Sequence, residues 1–266
     1  MAAELARRLR FAARAFAFYA LVALLFQYLL VLVFQTLDVD AFTPLLDALP
    51  PGLRALMGSD PAALFTSRGS LAVVFAHPVM VVLHSAFAIA IASGALAGEI
   101  ETRSIALVLT RPIRRWEVAA AAGLVLAAGN AALMAFLWTG TALWSAVYRL
   151  GSVDLAAFGW VAAIGLSIFW AIGGVALLAS AATSEAGRAA GLGAAFALAA
   201  YIANYLADLN PAWGWLGRYS IFGAWDPQAI VRQGGGSVGD LLLPLGVAMV
   251  SAALALVVFS RRDIAV

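Results

Sequence analysis

Cysteine and lysine are both absent from this sequence of 266 residues. Without cysteine, the chain has no disulfide, no thiolate nucleophile and no thiolate ligand for a metal ion. Without lysine, it has no P-loop, because that motif uses a lysine to contact the nucleotide phosphates. We therefore expect that the chain cannot be a P-loop ATPase by itself.

Charged side chains are scarce: they make up 11% of the residues, whereas an average soluble domain has about 25%. Hydrophobic residues make up 64%. This composition predicts an all-α, polytopic membrane protein, with residues 1–266 forming a single transmembrane domain. The formal net charge of +2 gives no indication of a nucleic-acid partner.

Six apolar segments are long enough to cross a bilayer core about 30 Å thick, which takes roughly 20 helical residues. The first is too long for a cleaved secretory signal, so we interpret it as an anchor. The predicted spans are about 15–36, 71–97, 118–146, 157–182, 189–208 and 240–260.

The distribution of arginine predicts the orientation. Eleven arginines lie near the two termini, in the 98–117 segment and at Arg188, whereas five lie in the alternate loops. Loops rich in arginine stay in the cytoplasm. Both termini and the 98–117 segment are therefore expected to be cytoplasmic, and the loops 37–70 and 209–239 to face outward.

The amino-terminal residues have an amphipathic pattern. Leu5, Leu9, Ala12 and Phe16 recur at helical spacing, and the arginines occupy another face. This pattern predicts a helix that lies in the membrane interface before the first span. The alternative is that the arginines simply flank that span. The arginines concerned are Arg7, Arg8, Arg10 and Arg14.

Polar side chains inside the spans are few, and none is a mid-span Asp, Glu or Arg. A proton- or sodium-coupled pump would keep a buried carboxylate, so this class is disfavoured. His77 and His84 are seven residues apart in the second predicted span, and two ligands do not complete a zinc site. They either line a cavity or are packed in the bundle, with Pro78 kinking the helix. Asn130 and Asn204 are interpreted as hydrogen-bonding residues between helices, or as part of a cavity lining.

The densest charge lies between the second and third spans, in GEIETRSIALVLTRPIRRWEV (98–118). Glu99 and Arg103 are spaced four apart, which favours an ion pair on a helix. An amphipathic helix is predicted over 98–110, with Ile100, Leu107 and Val108 on its apolar side. Pro112 ends it, because a residue before proline avoids helical geometry. We call residues 98–117 the insert; a solvated loop that only fixes topology is the alternative.

The insert resembles the cytoplasmic segment of ABC type-2 export permeases. Glu99 and Glu101 match the family's acidic positions, and Pro112 with Arg114 or Arg115 matches its proline–arginine element. Three further stretches are similar to the family at the expected places: LPPGLRALMG (49–58), FGAWDPQAIV (222–231) and VFSRRDIAV (258–266). Arg103 and Ser104 depart from the pattern, since a glycine–threonine pair is usual there.

The resemblance implies a function. The chain would be the permease of an exporter in the plasma (inner) membrane of a bacterium or archaeon. It would pair with a second permease copy or homologue and, through the insert acting as a coupling helix, with a cytoplasmic ABC ATPase subunit. ATP and magnesium would be bound by that partner, and this chain would bind no cofactor. The implied docking residues are Glu99, Glu101, Arg103, Arg111, Pro112, Arg114 and Arg115, with Arg7 and Arg8 bracing the same joint.

Two other classes remain as alternatives. A self-sufficient secondary transporter or channel would show polar groups and broken helices at the membrane midplane. A membrane-embedded enzyme would gather His, Asp or Glu at one depth. The docking interpretation predicts that Glu99→Arg weakens association with the ATPase.

Overall fold

The computed structural model describes residues 2–36, 44, 48–50, 66–110 and 113–263. All regular secondary structure within these ranges is helical. The helices are α1 (Ala2–Thr36), α2 (Ser67–Ala76), α3 (Pro78–Ala95), α4 (Ala97–Glu101), α5 (Ile105–Leu109), α6 (Arg115–Val147), α7 (Leu155–Ala182), α8 (Ala186–Leu209), a 3-10 turn (Pro211–Trp213), α9 (Gly214–Tyr219), α10 (Pro227–Gln233) and α11 (Gly239–Arg261).

Six of these helices are long and apolar enough to cross a membrane. They are α1, α3, α6, α7, α8 and α11, and each contains most of one predicted span. The prediction of an all-helical, multi-pass membrane protein is therefore confirmed at this level. It succeeded because the length of an apolar run is a local property that sets helix length directly.

The first helix differs from the prediction in one respect. Residues 2–14 do not form a separate element, because α1 continues without a break to Thr36. The reason is visible in its sequence: no glycine, proline, serine, asparagine or aspartate interrupts Ala2–Thr36. At about 1.5 Å per residue, a helix of 35 residues is longer than a bilayer core about 30 Å thick.

The second predicted span, 71–97, is two helices and not one. His77 has an extended backbone (φ −58°, ψ 132°) and separates α2 from α3, which begins at Pro78. Proline disfavours helical geometry in the residue before it, so the break falls at His77. The spacing of seven residues between His77 and His84 predicts that they share one face of a single helix, and this prediction was therefore wrong.

Helix α7 is the centre of the bundle and packs against α3, α6, α8 and α11. Phe158, Ile164 and Phe169 on this helix are fully buried. By contrast, α8 buries only Ala189 and Gly193 and leaves most of its apolar surface open. The long helices thus surround one central helix, and α8 lies at the periphery.

A polar contact between α1 and α6 was missed by the sequence reasoning. Gln27 is fully buried, and its Nε2 donates to the Leu137 carbonyl at 3.3 Å and to Thr141 Oγ1 at 3.4 Å. The amide fits because Gly140 has no side chain: a Cβ there would lie 2.2 Å from Gln27 Oε1. A single glutamine in an apolar span gives no periodic signal, which is why the pattern did not reveal it.

Candidate functional site

Polar groups from all six long helices meet at one end of the bundle, which we call the insert end. Helices α1, α6 and α8 begin there, and α3, α7 and α11 end there, as the contacts below establish. We call the opposite end, with residues 148–154 and 210–238, the loop end.

The insert is two short helices, not the single helix predicted over 98–110. Helix α4 ends at Glu101, a turn covers Thr102–Ser104, and α5 begins at Ile105. Arg103 in that turn has φ +58°, the left-handed region that side chains disfavour. Thr102 Oγ1 donates to the Gly98 carbonyl at 2.8 Å and Ser104 Oγ to the Glu99 carbonyl at 3.4 Å, so side-chain bonds to the preceding turn accompany this break. Helical spacing alone did not reveal it.

Replacing Arg103 by glycine should stabilise the chain. The left-handed backbone costs a non-glycine residue about 1–2 kcal/mol, which glycine would avoid. Glycine loses more conformational freedom on folding, and this loss offsets about 0.5–1 kcal/mol of the stabilisation. We expect Arg103→Gly to raise the free energy of unfolding by about 0.5–1 kcal/mol, measured in detergent. Arg103→Ala is the control, since it removes the same charge but keeps the strain. Equal stability of the two variants would contradict the strain.

Glu99 joins the insert to the first helix. Its carboxylate accepts from Arg7 through Oε1 and from Arg8 through Oε2, the latter at 2.9 Å. Arg8 also donates to the Ala95 carbonyl at 2.7 Å, at the end of α3. Glu99 is 9% exposed and Arg8 is 7% exposed, so this ion pair is largely shielded from water. Arg7 and Arg8 therefore brace the insert from α1, whereas Arg10 is exposed.

Ser180 joins the insert to the central helix. The chain bends at Leu96 between α3 and α4, which frees backbone groups from the helical pattern. Ser180 Oγ accepts from the Ala97 amide at 2.8 Å and from the Leu96 amide at 3.3 Å, and it donates to the Ser93 carbonyl at 3.0 Å. The buried Ser180 hydroxyl thus supplies hydrogen-bond partners to the backbone groups at the bend, and it fixes α4 against α7.

Glu101 joins the insert to α8. Its Oε2 accepts from the Ala186 amide at 2.8 Å, at the first residue of that helix. A carboxylate at a helix amino terminus satisfies a free amide and interacts favourably with the helix dipole. Glu99 and Glu101 therefore bind two different helices of their own chain.

Arg115 and Arg262 complete the insert end. Arg115, at the start of α6, donates to the Arg262 carbonyl that follows α11. The Arg262 guanidinium donates to the carbonyls of Ala181 (3.0 Å) and Thr183 (2.6 Å), at the end of α7. Desolvation by partial burial lowers the pKa of the Arg262 guanidinium, but arginine remains charged. The positive charge is well placed at a helix carboxyl terminus.

The exposed part of the insert is a different set of residues, which we call the docking surface. Leu107 is 74% exposed, although the sequence pattern placed it with Ile100 and Val108 on one apolar side. Val108 is buried. The docking surface consists of Thr102, Arg103, Leu107, Thr110, Arg114 and Trp116.

Of the seven implied docking residues, Arg103 and Arg114 lie on the docking surface. Glu99, Glu101 and Arg115 bind elsewhere in the chain, as described above. Arg111 and Pro112 lie outside the described residues. Replacing Glu99 would therefore disturb its contacts with Arg7 and Arg8 within the chain, in addition to any effect on docking.

The histidines and asparagines occupy separate places. His84 is buried, stacks on Phe169 with ring centroids 5.0 Å apart, and its Nδ1 lies 2.9 Å from the Met80 carbonyl. His77 is half-buried beside Phe26 and caps α3. Asn130 Nδ2 donates to the Leu126 carbonyl of its own helix at 2.9 Å, not across helices. Among the described residues, no group of three His, Asp or Glu side chains could hold a metal ion.

The stretches that resemble export permeases at the loop end are only partly described. Within 222–231, Asp226 caps α10 by accepting from the Ala229 amide at 3.0 Å. The Trp225 indole is buried and donates to the Val161 carbonyl at 3.0 Å, which fixes this segment against α7. Most of the 49–58 stretch lies outside the described residues.

Asn204 lines a cavity of about 520 Å³ at the loop end, between the end of α8, helix α9 and the start of α11. Its Nδ2 donates to Asp208 Oδ2 at 3.3 Å within α8. His77, His84 and Asn130 do not line this cavity.

Comparison with protein-family models and with curated proteins gave no match for this chain.

Proposed function

We propose that this protein is the membrane-spanning permease subunit of an ABC exporter, driven by a separate ATP-hydrolysing subunit. The observation that carries the proposal is the bonding of the insert. Glu99, Glu101 and Ser180 connect it to α1, α8 and α7, and Arg8 also bonds the end of α3. An element that only fixed topology would need none of these bonds.

These bonds provide a path for force. A push on the insert acts on α4, which is held to three helices, and α6 follows the insert directly in the chain. Arg115 and Arg262 link α6, α7 and α11 at the same level. Displacing the insert would therefore move the ends of all six long helices together, as coupling to ATP hydrolysis requires.

The docking surface supplies the contact with the ATPase. Leu107 is the apolar anchor, and Arg103 and Arg114 are exposed cations beside it. A few residues carry most of the binding energy in protein interfaces, and arginine and tryptophan are enriched among them, which fits Arg103, Arg114 and Trp116 on this surface. ATP and magnesium belong to the ATPase, and the insert end is the cytoplasmic side in this proposal.

The turn at Arg103 supports the family resemblance. Export permeases usually have glycine where this chain has Arg103, and the left-handed φ of +58° is a conformation that favours glycine. The backbone of the insert thus has the geometry that the usual glycine would adopt, although the residue differs.

The peripheral helix α8 supplies a face for the second permease copy. A Cβ added at Gly187 or Gly191 would meet no heavy atom within 4 Å, and Leu198 is 60% exposed. Small residues on an open helix face allow close approach of another helix within a membrane. We place the protein in the plasma membrane of a bacterium or archaeon on its arginine-rich, lysine-free composition.

Leu107→Ser tests the docking role. We expect the variant to insert and fold normally but to lose at least about tenfold of its affinity for the ATPase, since a buried anchor contributes about 2 kcal/mol. The measurement is co-purification of a P-loop ATPase with the tagged chain from native membranes, followed by an ATPase assay.

Val238→Ser is the matched control, because Val238 is 66% exposed at the loop end. If both variants, or neither, lost the ATPase, the docking surface would be wrong. A wild-type chain that purified without any ATPase would favour a self-sufficient transporter or channel.

A further inference from the structure

We propose that the loop-end cavity binds the headgroup of a phospholipid that bears a primary amine, phosphatidylethanolamine being the simplest. The inference is independent of the ATPase, because it concerns the opposite end of the bundle. It rests on the charges, the apolar lining and the depth of the cavity.

The cavity has separated charges of both signs. Asp208 lies at the end of α8, Asp240 at the start of α11, and Arg218 on α9. Within the described part of the chain, these three side chains form no ion pair with one another or with other residues. Each carboxylate accepts one hydrogen bond, from Asn204 (3.3 Å) and from the Ser237 amide (2.7 Å). A carboxylate has about four acceptor sites, so most of this capacity is open to a ligand.

A zwitterion complements this arrangement. An ammonium group carries three donors for the two carboxylates, and a phosphate matches the planar guanidinium of Arg218. A quaternary ammonium such as choline has no N–H donor and is usually held by an aromatic cage. None of the described residues that line the cavity is aromatic. The lining therefore favours a primary amine over choline.

The apolar part of the cavity indicates that the zwitterion belongs to a lipid. Ile221, Leu243 and Pro244 line it beside the charged groups. The adjoining surface of α11 and α9 is apolar and exposed, with Leu242 at 67% and Trp215 at 58%. Exposed tryptophan is typical of the level at which lipid headgroups lie. The headgroup can thus enter the cavity while the acyl chains lie along α11.

The same phosphoethanolamine group also occurs in soluble compounds, so the experiment compares a lipid with a soluble compound that carries it. The purified full-length chain is titrated with phosphatidylethanolamine, with phosphatidylcholine of the same acyl chains, and with soluble glycerophosphoethanolamine. Bound molecules are counted by native mass spectrometry. We expect phosphatidylethanolamine to bind about tenfold more tightly than phosphatidylcholine, the difference made by one charged hydrogen-bonded contact. The soluble compound should bind far more weakly than either lipid.

Variants assign the preference to the cavity. The double variant Asp208→Asn/Asp240→Asn should bind the two lipids equally, and Arg218→Gln should weaken both about tenfold. Arg68→Gln is the control, because Arg68 is an exposed arginine at the same end that does not line the cavity. Equal binding of the two lipids by the wild type would overturn the proposal, as would a preference that survives in the double variant. Soluble glycerophosphoethanolamine binding as tightly as the lipid would overturn the assignment to a lipid.

Discussion

Glu99→Gln should destabilise the protein by about 3 kcal/mol, the cost of removing one partner from a buried ion pair. The change removes the negative charge that Arg7 and Arg8 share, while the shape of the side chain is retained. Most of the effect should come from Arg8, whose side chain is 6% exposed, since that of Arg7 is 46% exposed. The measurement is the free energy of unfolding in detergent by a chemical denaturant.

Two further variants distinguish the loss of the buried ion pair from a general effect of removing a negative charge. Glu185→Gln removes a glutamate at the same end whose partner, Arg188, is 3.9 Å away, with both side chains more than 60% exposed. Such surface pairs contribute about 0–1 kcal/mol, so this variant should be nearly neutral. The double variant Arg8→Met/Glu99→Met should recover most of the lost stability, because an apolar pair avoids the desolvation cost. If Glu185→Gln and Glu99→Gln were equally destabilising, the buried pair would not hold α1 to the insert.

Gly223→Ala should destabilise the protein more than the addition of a methyl group at any other glycine of the loop end. The added Cβ would lie 1.9 Å from the Gly217 carbonyl oxygen and 2.8 Å from its carbonyl carbon. These are backbone atoms, which cannot rotate away as the end of a side chain can. We expect a loss of about 3 kcal/mol, at the upper end of the range for overpacking. The measurement is again unfolding in detergent.

Gly214→Ala is the matched control for this change. It adds the same methyl group at the loop end, on α9, but a Cβ there would meet no heavy atom within 4 Å. Its effect should stay within about 0.5 kcal/mol. Gly214 and Gly223 both line the loop-end cavity, but of these two only the Gly223 Cβ would displace a backbone atom of the cavity wall, at Gly217. Gly223→Ala should therefore reduce binding of phosphatidylethanolamine more than Gly214→Ala does. Similar stability of the two variants would show that the turn relaxes around the methyl group.

The sequence predicted the long helices well and their connections poorly. Each span is encoded locally by its apolar length, so the ends of α6 and α7 were placed within three residues. Helix α4 is different, because its two ends, Ala97 and Glu101, bond to Ser180 and Ala186, more than 80 residues away along the chain. No local pattern contains that information.

The candidate site shows the same division. The sequence identified Glu99 and Glu101 as important from their charge and position, but it assigned them to a partner protein. Their partners within the chain became visible only when α1 and α8 were placed beside the insert. The sequence placed Leu107 on one apolar side with Ile100 and Val108, because the helical period was continued across Thr102–Ser104. The helix breaks there, and Leu107 is exposed whereas Val108 is buried.

Arg262 has a consequence for the order in which the protein matures. The carbonyls of Ala181 and Thr183 at the end of α7 accept from a side chain that follows α11 in the chain. The ribosome has therefore to synthesise all six long helices before the central one acquires this cap. Until then the insert end has the Glu99 and Glu101 bonds but lacks the link from α11 to α7. A newly inserted chain with five of the long helices in the membrane would therefore lack the bonds that Arg262 makes to the end of α7.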